Sequence, residues 1–330
     1  MNLHEKFYWL MSGVLMLLLT ASLIGAVLKT RIRSDSGRAV VQNLNSRIRA
    51  WWVMIAIFAV AFLVGKNATV VLFAFTSFMA LREFITLTPT KRGDHVPLFL
   101  SFFVLIPVQY LLIAYGWYGL YAIFIPVYAF LLLPAFAALA EDIDHFLERT
   151  AKIQWAVMVT VFCVSHAPAL LLLDIPGYVG QDALLIFYLL LVAQLSDVLQ
   201  YVSGKLFGRT KIAPNVSPSK TREGLVGGGL GAILVGGAMW WITPFSPLQA
   251  MGMSFIIVLM GFLGGLALSA VKRSLGAKDW GSMIEGHGGM LDRIDSISFA
   301  APIFFHLTRY FFTPQQRQSR YFEAMDRTPV

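Results

Sequence analysis

Long apolar runs constrain this chain more than any other feature of its sequence. About ten of them, separated by charged residues or by Pro and Gly, approach the roughly 20 residues that cross a bilayer as a helix. They lie near residues 7–28, 49–65, 67–86, 96–115, 117–139, 153–173, 182–201, 224–242, 248–270 and 296–313. The composition, 57% hydrophobic and 13% charged, lies outside the usual range of soluble proteins. The sequence therefore predicts an all-α, polytopic integral membrane protein with about ten transmembrane helices, or nine.

The first three runs need separate treatment. The run 7–28 is longer than the roughly 7–15 apolar residues of a signal peptide, so it is expected to remain as the first membrane helix. The second and third runs are short, and Arg82 and Glu83 lie inside the end of the third. We expect these two runs to form a tilted or partly re-entrant pair.

The distribution of positive charge predicts an orientation. The chain has a formal net charge of +8, and most of its 26 Lys and Arg residues fall in alternate connections between runs. These connections are 29–49, 91–95, 141–152, 203–223 and 272–295, and the positive-inside rule places them in the cytosol. Positive charge at membrane edges argues against nucleic-acid binding. A tenth full crossing would leave Arg317, Arg320 and Arg327 outside, so the side of the C-terminus stays open.

Two polar connections contain the residues best suited to chemistry. In the loop 272–295, Asp292 and Asp295 are three residues apart, so a helix would place their carboxylates on one face, where they call for a cation. The glycines on both sides of His287 leave backbone N–H groups at the helix entrance, where they can bind phosphate. This loop therefore predicts a metal and phosphate site.

The loop 203–223 is basic and follows a carboxylate inside an apolar run. Asp197, four residues before the predicted end of its span, is expensive in a membrane unless it meets a partner or water. The segment 217–221 is expected to form a turn that presents hydroxyl groups and the Lys220 ammonium to an anion. Glycines within the neighbouring spans are expected to permit close helix packing. They are Gly227, Gly228, Gly229, Gly231, Gly261, Gly264 and Gly265.

Both polar loops resemble sequence blocks of the phosphatidate cytidylyltransferase family, also called CDP-diacylglycerol synthases. The family signature matches Ser269, Lys272, Arg273, Lys278, Asp279, His287, Gly288, Gly289, Asp292, Arg293 and Asp295. A second block matches Asp197, Gly204, Phe207, Gly208, Lys211, Pro214, Ser217, Pro218, Lys220, Thr221, Glu223 and Gly224. Glu285 and Arg222 depart from the family pattern, and they add a carboxylate and a cation.

The resemblance implies a reaction of CTP with phosphatidate that gives CDP-diacylglycerol and pyrophosphate. The implied cofactor is Mg²⁺, bound as one cation or as two. The catalytic residues it implies are Asp197, Asp292, Asp295, His287, Lys278 and Asp279, and the metal ligands are Asp197, Asp292, Asp295 and Asp279. From the residue types of the two loops together with the resemblance, the expected substrate-binding residues are Ser217, Ser219, Lys220, Thr221, Arg222, Lys272, Arg273, Gly288, Gly289 and Arg293.

The expected organisation has two parts. Residues 1–152 would form about five spans for lipid access and oligomer contacts, with a homodimer as one arrangement, and residues 153–330 would form the catalytic membrane domain. The expected location is the inner membrane of a bacterium, with membrane lipids around the spans and the site facing the cytosol. The alternatives are a nucleotidyltransferase for another lipid phosphate, an inactive homologue and a transporter.

Overall fold

The part of the protein that the structure describes consists mainly of ten long helices. The computed structural model describes residues 3–31, 35–283 and 288–314. The first seven helices are α1 Leu3–Arg31, α2 Asp35–Val64, α3 Lys66–Leu87, α4 Arg92–Ala114, α5 Tyr118–Ala138, α6 Phe146–Leu172 and α7 Asp182–Phe207. They are followed by α8 Arg222–Ala238, α9 Pro247–Ser274 and α10 Leu291–Phe312. Each apolar run of the sequence corresponds to one of these helices, which confirms an all-α membrane protein.

Eight of the helices in the described residues are long and apolar enough to cross a membrane, rather than the ten predicted. They are α1 to α7 and α9. Helix α8 has only 17 residues, and α10 has 22 residues but carries Asp292, Arg293 and Asp295 near its start. Both remain inside the bundle, since α8 packs against α7 and α9, and α10 packs against α9. The difference between the ten predicted spans and these eight therefore lies in α8 and α10, the two helices that follow the polar loops.

The polar connections gather at one end of the bundle, which we call the loop end. It contains residues 88–91, 139–145, 208–221, 275–283 and 288–290. Arg149 at the start of α6 joins the start of α4 to one of these segments, because its Nε donates to Asp94 at 3.0 Å and its Nη1 donates to Asp142 at 2.9 Å. At the opposite end, Lys6 of α1 donates to Gln181 before α7 at 2.7 Å. Four connections that the charge pattern assigned to one side thus contribute to one end of the bundle.

Glycines bring the helices near the loop end into backbone contact. A Cβ atom on Gly224 of α8 would lie 2.7 Å from the Gln200 carbonyl oxygen and 3.0 Å from Cα of Gly204, both in α7. A Cβ on Gly264 of α9 would lie 2.7 Å from the Asp295 carbonyl oxygen in α10. These distances are too short for a side chain, which confirms that the glycines permit close packing. They bring α8 against α7 and α9 against α10.

A short β-hairpin follows α7 and corrects one local prediction. Strand β1, Lys211–Ala213, pairs antiparallel with β2, Ser217–Thr221, so the segment predicted as a turn is a strand. The turn lies before it, where the N–H of Val216 donates to the Ala213 carbonyl at 3.1 Å. The intervening Pro214 and Asn215 favour a turn, and this local preference places the chain reversal earlier.

Helix α7 is longer than the sequence predicted. It continues to Phe207, so ten residues rather than four follow Asp197, which corresponds to about 15 Å of helix. The hairpin then returns the chain alongside α7, and a Cβ on Gly208 would lie 2.8 Å from the Thr221 hydroxyl oxygen. This return brings β2 back to the level of Asp197.

Candidate active site

Lys220 and two carboxylates form the first group of site residues, which we call the Lys220 cluster. Lys220 comes from β2, Asp197 from α7 and Asp295 from α10. The ammonium group interacts electrostatically with both carboxylates. Burial lowers the pKa of Lys220, and Asp197 and Asp295 oppose that shift. The cluster joins residues that are up to 98 positions apart in the sequence.

Helix α9 fixes the position of the Lys220 ammonium. Nζ donates to the Phe262 carbonyl at 3.3 Å and lies 4.6 Å from the centre of the Phe262 ring. A Cβ on Gly265 would lie 2.9 Å from Nζ and 3.6 Å from Oδ2 of Asp295. The absence of a side chain at Gly265 therefore leaves room for the cation and the carboxylate on the same face of α9.

Hydrogen bonds orient the first turns of α10. Oδ1 of Asp295 accepts from the N–H of Ser296 at 2.7 Å, and the Asp295 carbonyl accepts from the Ser298 hydroxyl at 2.8 Å. Gln194 of α7 donates to the Arg293 carbonyl at 3.0 Å. Helix α7 thus holds α10 one turn away from Asp197.

Asp292 has a different environment, which we call the Asp292 junction. Its Oδ1 accepts from Lys272 Nζ at 2.5 Å, and its Oδ2 accepts from the N–H groups of Trp280 and Gly289 at 2.8 and 2.9 Å. Only 8% of the Asp292 side chain and 10% of the Lys272 side chain are exposed. Gly288 has a φ of +82°, and a Cβ there would lie 2.8 Å from Oδ2. Asp292 therefore organises the loop before α10.

Glu83 of α3 is a site-proximal residue to which the sequence assigned no role. Its Oε1 accepts from the N–H of Met290 and its Oε2 from the N–H of Leu291, both at 2.8 Å. The carboxylate is buried, and it lies against Gly281 and Gly289. An acidic residue inside the end of an apolar run was the only signal in the sequence, and it did not indicate a partner more than 200 residues away.

The backbone N–H groups at the entrance of α10 are bound by carboxylates of the protein itself. Gly289 donates to Asp292, and the next two residues donate to Glu83. The sequence predicted that such groups would be free to bind phosphate. In the described part of this loop, the acceptors are instead Asp292 and Glu83.

The other predicted residues lie in varied environments. Exposed side chains belong to Ser219, Arg222, Arg273, Lys278 and Asp279. The Thr221 hydroxyl caps α8 by accepting from the N–H of Gly224 at 3.0 Å, and Ser217 is partly buried in β2. His287 and Glu285 lie outside the described residues.

The carboxylates of the Lys220 cluster suit a divalent cation that is shared with phosphates. Mg²⁺ is commonly bound by one or two carboxylates together with phosphate oxygens and water. Asp197 and Asp295 supply two carboxylates, whereas both oxygens of Asp292 are bound at its junction. Among residues 3–31, 35–283 and 288–314, no three His, Cys, Asp or Glu side chains come together as a metal cluster. The donor set therefore fits a cation that completes its coordination with substrate.

Two buried donors lie beside this cluster. Nε of Arg293 has no hydrogen-bond partner within the described residues, and the Ser296 hydroxyl interacts with the Asp197 carboxylate. Arg293 interacts electrostatically with both Asp197 and Asp295, and Ser296 lies beside Asp197. The combination of two carboxylates, two cations and a hydroxyl group is chemically suited to a metal–phosphate ligand.

Comparison with known proteins adds a family assignment. The family model described as "Cytidylyltransferase family" matches residues 45–311. The uncharacterized protein YnbB of Escherichia coli (strain K12) is 39% identical over 297 residues, which cover 89% of this chain and 95% of YnbB.

Proteins named phosphatidate cytidylyltransferase match a shorter segment. The one from Staphylococcus aureus (strain COL) is 40% identical over 120 residues, or 36% of this chain and 46% of its own length. The one from Synechocystis sp. (strain ATCC 27184 / PCC 6803 / Kazusa) is 40% identical over 113 residues, or 34% of this chain and 38% of its own length. The aligned segments thus span less than half of each of these relatives. The family match over most of the chain shows that the protein belongs to the cytidylyltransferase family and is a nucleotidyltransferase.

Proposed function

We propose that the protein is a phosphatidate cytidylyltransferase, which converts CTP and phosphatidate into CDP-diacylglycerol and pyrophosphate. The observation that carries the proposal is the Lys220 cluster, in which Asp197 and Asp295 from separate helices lie around one ammonium group. The family membership supports cytidylyl transfer. The names of the two relatives from Staphylococcus aureus and Synechocystis support phosphatidate as the acceptor.

The proposed reaction joins two anions. An oxygen of the lipid phosphate attacks the α-phosphorus of CTP and forms a new P–O bond. The bond from that phosphorus to the oxygen bridging to the β-phosphate breaks, and pyrophosphate leaves with the electron pair. Because the attacking phosphate is already anionic near pH 7, no strong base is required. Charge repulsion is the main obstacle, so catalysis depends on positioning and electrostatic stabilisation.

The residues of the cluster have separate roles in this proposal. Asp197 and Asp295 would hold a divalent cation, with Mg²⁺ as the proposed ion, and a bound cation would neutralise charge on the triphosphate. Lys220 and Arg293 place positive charge beside the same carboxylates, where it can bind phosphate oxygens. Asp292 positions the loop before α10 through Trp280. Its role as a metal ligand stays a proposal.

The charge pattern supports a cytosolic site in a bacterial inner membrane. CTP is a cytosolic nucleotide. Four of the basic connections that the positive-inside rule places in the cytosol form the loop end. Phosphatidate would then reach the Lys220 cluster sideways from the inner leaflet, between the helices that surround it.

The first test is turnover by the purified full-length protein in detergent. We expect pyrophosphate release from CTP only when phosphatidate and Mg²⁺ are both present, and chelation by EDTA should stop release until Mg²⁺ is restored. Mass spectrometry should identify CDP-diacylglycerol as the lipid product.

A panel that crosses CTP and dCTP with several lipid phosphates tests the acceptor. Phosphatidate should give the highest kcat/KM. If a polyprenyl phosphate or an ether-lipid phosphate gives a higher kcat/KM than phosphatidate, that lipid replaces phosphatidate as the proposed acceptor. Transport of a solute without CTP consumption would refute cytidylyl transfer.

A further inference from the structure

The last turn of α3 contacts both ends of the loop that precedes α10. Glu83 accepts from the N–H groups of Met290 and Leu291, at the C-terminal end of the loop. The next residue, Phe84, stacks on Trp280 with ring centres 5.1 Å apart and an interplanar angle of 21°. Helix α3 belongs to the N-terminal half of the chain and contributes no residue to the Lys220 cluster or the Asp292 junction.

The geometry around Glu83 leaves little freedom for its carboxylate. A Cβ on Gly281 would lie 2.9 Å from Oε1, and a Cβ on Gly289 would lie 2.8 Å from the same oxygen. Glu83 is only 7% exposed. Any larger residue at either glycine would displace the carboxylate, so this side chain, the two glycines and the start of α10 fit together as a unit.

The contact has a clear physical effect on α10. The first N–H groups of a helix have no acceptor within the helix, and a carboxylate at that end also interacts favourably with the helix dipole. Glu83 provides both interactions for Met290 and Leu291, directly before Asp292 and one turn before Asp295. A displacement of this turn would displace both aspartates.

We propose that Glu83 is a positioning residue for cytidylyl transfer, which anchors the first turn of α10 to α3 through two carboxylate–amide hydrogen bonds. The inference rests on the proposed function of Asp292 and Asp295, although Glu83 itself does not touch substrate. It assigns the N-terminal half of the chain a direct part in the geometry of the site.

The test compares Glu83→Gln, Glu83→Asp and Glu83→Ala in the full-length protein. Glu83→Gln keeps one acceptor oxygen but directs an NH₂ group at a backbone N–H. We expect it to lower kcat by about 10- to 100-fold, because a misplacement of about 1 Å can cost that much. The KM for CTP should change less than about threefold, as expected when ground-state binding is retained. Glu83→Asp keeps the charge and both acceptors, so its kcat should lie between those of Glu83→Gln and the wild type. Glu83→Ala removes both acceptors, so its kcat should be no higher than that of Glu83→Gln.

Two matched controls separate positioning from general stability. Asp94→Asn removes another buried carboxylate, at the start of α4, that binds Arg149 rather than α10. It should lower thermal stability while kcat of the folded protein stays unchanged. Gly281→Ala should reproduce the kcat loss of Glu83→Gln, whereas Gly252→Ala, where a Cβ would meet nothing within 4 Å, should not. A kcat within twofold of wild type in Glu83→Gln, or a loss confined to stability or KM, would overturn the inference.

Hydrogen exchange of the segment 288–295 keeps this inference distinct from the proposed function. The exchange requires no lipid substrate, and Glu83→Gln should accelerate it at Met290 and Leu291 while Asp94→Asn should not. If the wild-type protein turns over no lipid phosphate, the proposed function fails, and unchanged exchange in Glu83→Gln would independently refute the anchor.

Discussion

Asp295→Asn and Asp197→Asn are each expected to lower kcat for cytidylyl transfer by more than about 100-fold, with the protein still folded. Loss of a residue that only orients a metal ligand costs roughly 10- to 100-fold, so loss of a ligand should cost at least as much. The Asn side chain keeps nearly the same volume, and its carbonyl oxygen can still accept from the N–H of Ser296. Steady-state turnover with CTP and phosphatidate measures the loss.

The thermal behaviour of these variants is part of the same expectation. Asp197 and Asp295 repel each other across the cluster, and Lys220 is the ammonium group that attracts both. Removal of one charge in protein without added divalent cation should therefore leave the unfolding temperature unchanged or raise it. The stabilisation of wild type by Mg²⁺ should shrink, because a ligand that binds only the folded state stabilises it by mass action.

A double variant provides the strictest control for the shared site. If the two aspartates hold one cation, Asp197→Asn combined with Asp295→Asn should lower kcat little further than either single change. Asp144→Asn removes an exposed carboxylate that pairs with Lys91 at the loop end, and it should leave kcat unchanged. Independent, multiplicative losses from the two aspartates, or near-normal turnover in either single variant, would refute the metal assignment.

The features that the sequence predicted well depend on local pattern. Apolar runs of about 20 residues located each of the ten described helices, because the length needed to cross a bilayer is fixed. Glycine spacing predicted the close packing of α7, α8 and α9, since the absence of a Cβ has the same effect wherever two backbones approach. The phosphate and metal site that the residue types of the polar loops indicate stays a prediction.

The features that the sequence did not predict depend on contacts between distant segments. Asp292 and Asp295 are three residues apart on one helix, yet Asp292 binds Lys272 of α9 while Asp295 lies by Lys220 of β2. Spacing along a helix determines the face that a side chain shares, whereas the elements packed against that face determine its partner. Glu83 shows the same limit, because no local pattern connects α3 to the start of α10.

Asp292→Ala is expected to reduce both stability and turnover, in contrast to the substitutions in the Lys220 cluster. It would leave the Lys272 ammonium buried without its carboxylate and would remove the acceptor of two N–H groups, those of Trp280 and Gly289. Breaking a buried ion pair by removing one partner typically costs about 3–5 kcal/mol. Thermal unfolding in detergent should show this loss, and kcat of the remaining folded protein should fall by more than about 100-fold.

Paired substitutions separate the structural contribution of Asp292 from a chemical one. Lys272→Met alone leaves Asp292 with its two N–H donors, so it should destabilise the protein less than Asp292→Ala does. Lys272→Met combined with Asp292→Asn removes both charges, keeps an acceptor oxygen and adds apolar volume, and such replacements of buried ion pairs are often neutral. The double variant should therefore regain most of the lost stability.

Turnover of the double variant then distinguishes two roles of Asp292. If turnover is regained together with stability, Asp292 acts only through the loop that it organises. If turnover stays low at restored stability, the Asp292 carboxylate has a direct part in binding the cation. Wild-type stability in Asp292→Ala would contradict both interpretations, since the buried ammonium would then need no partner.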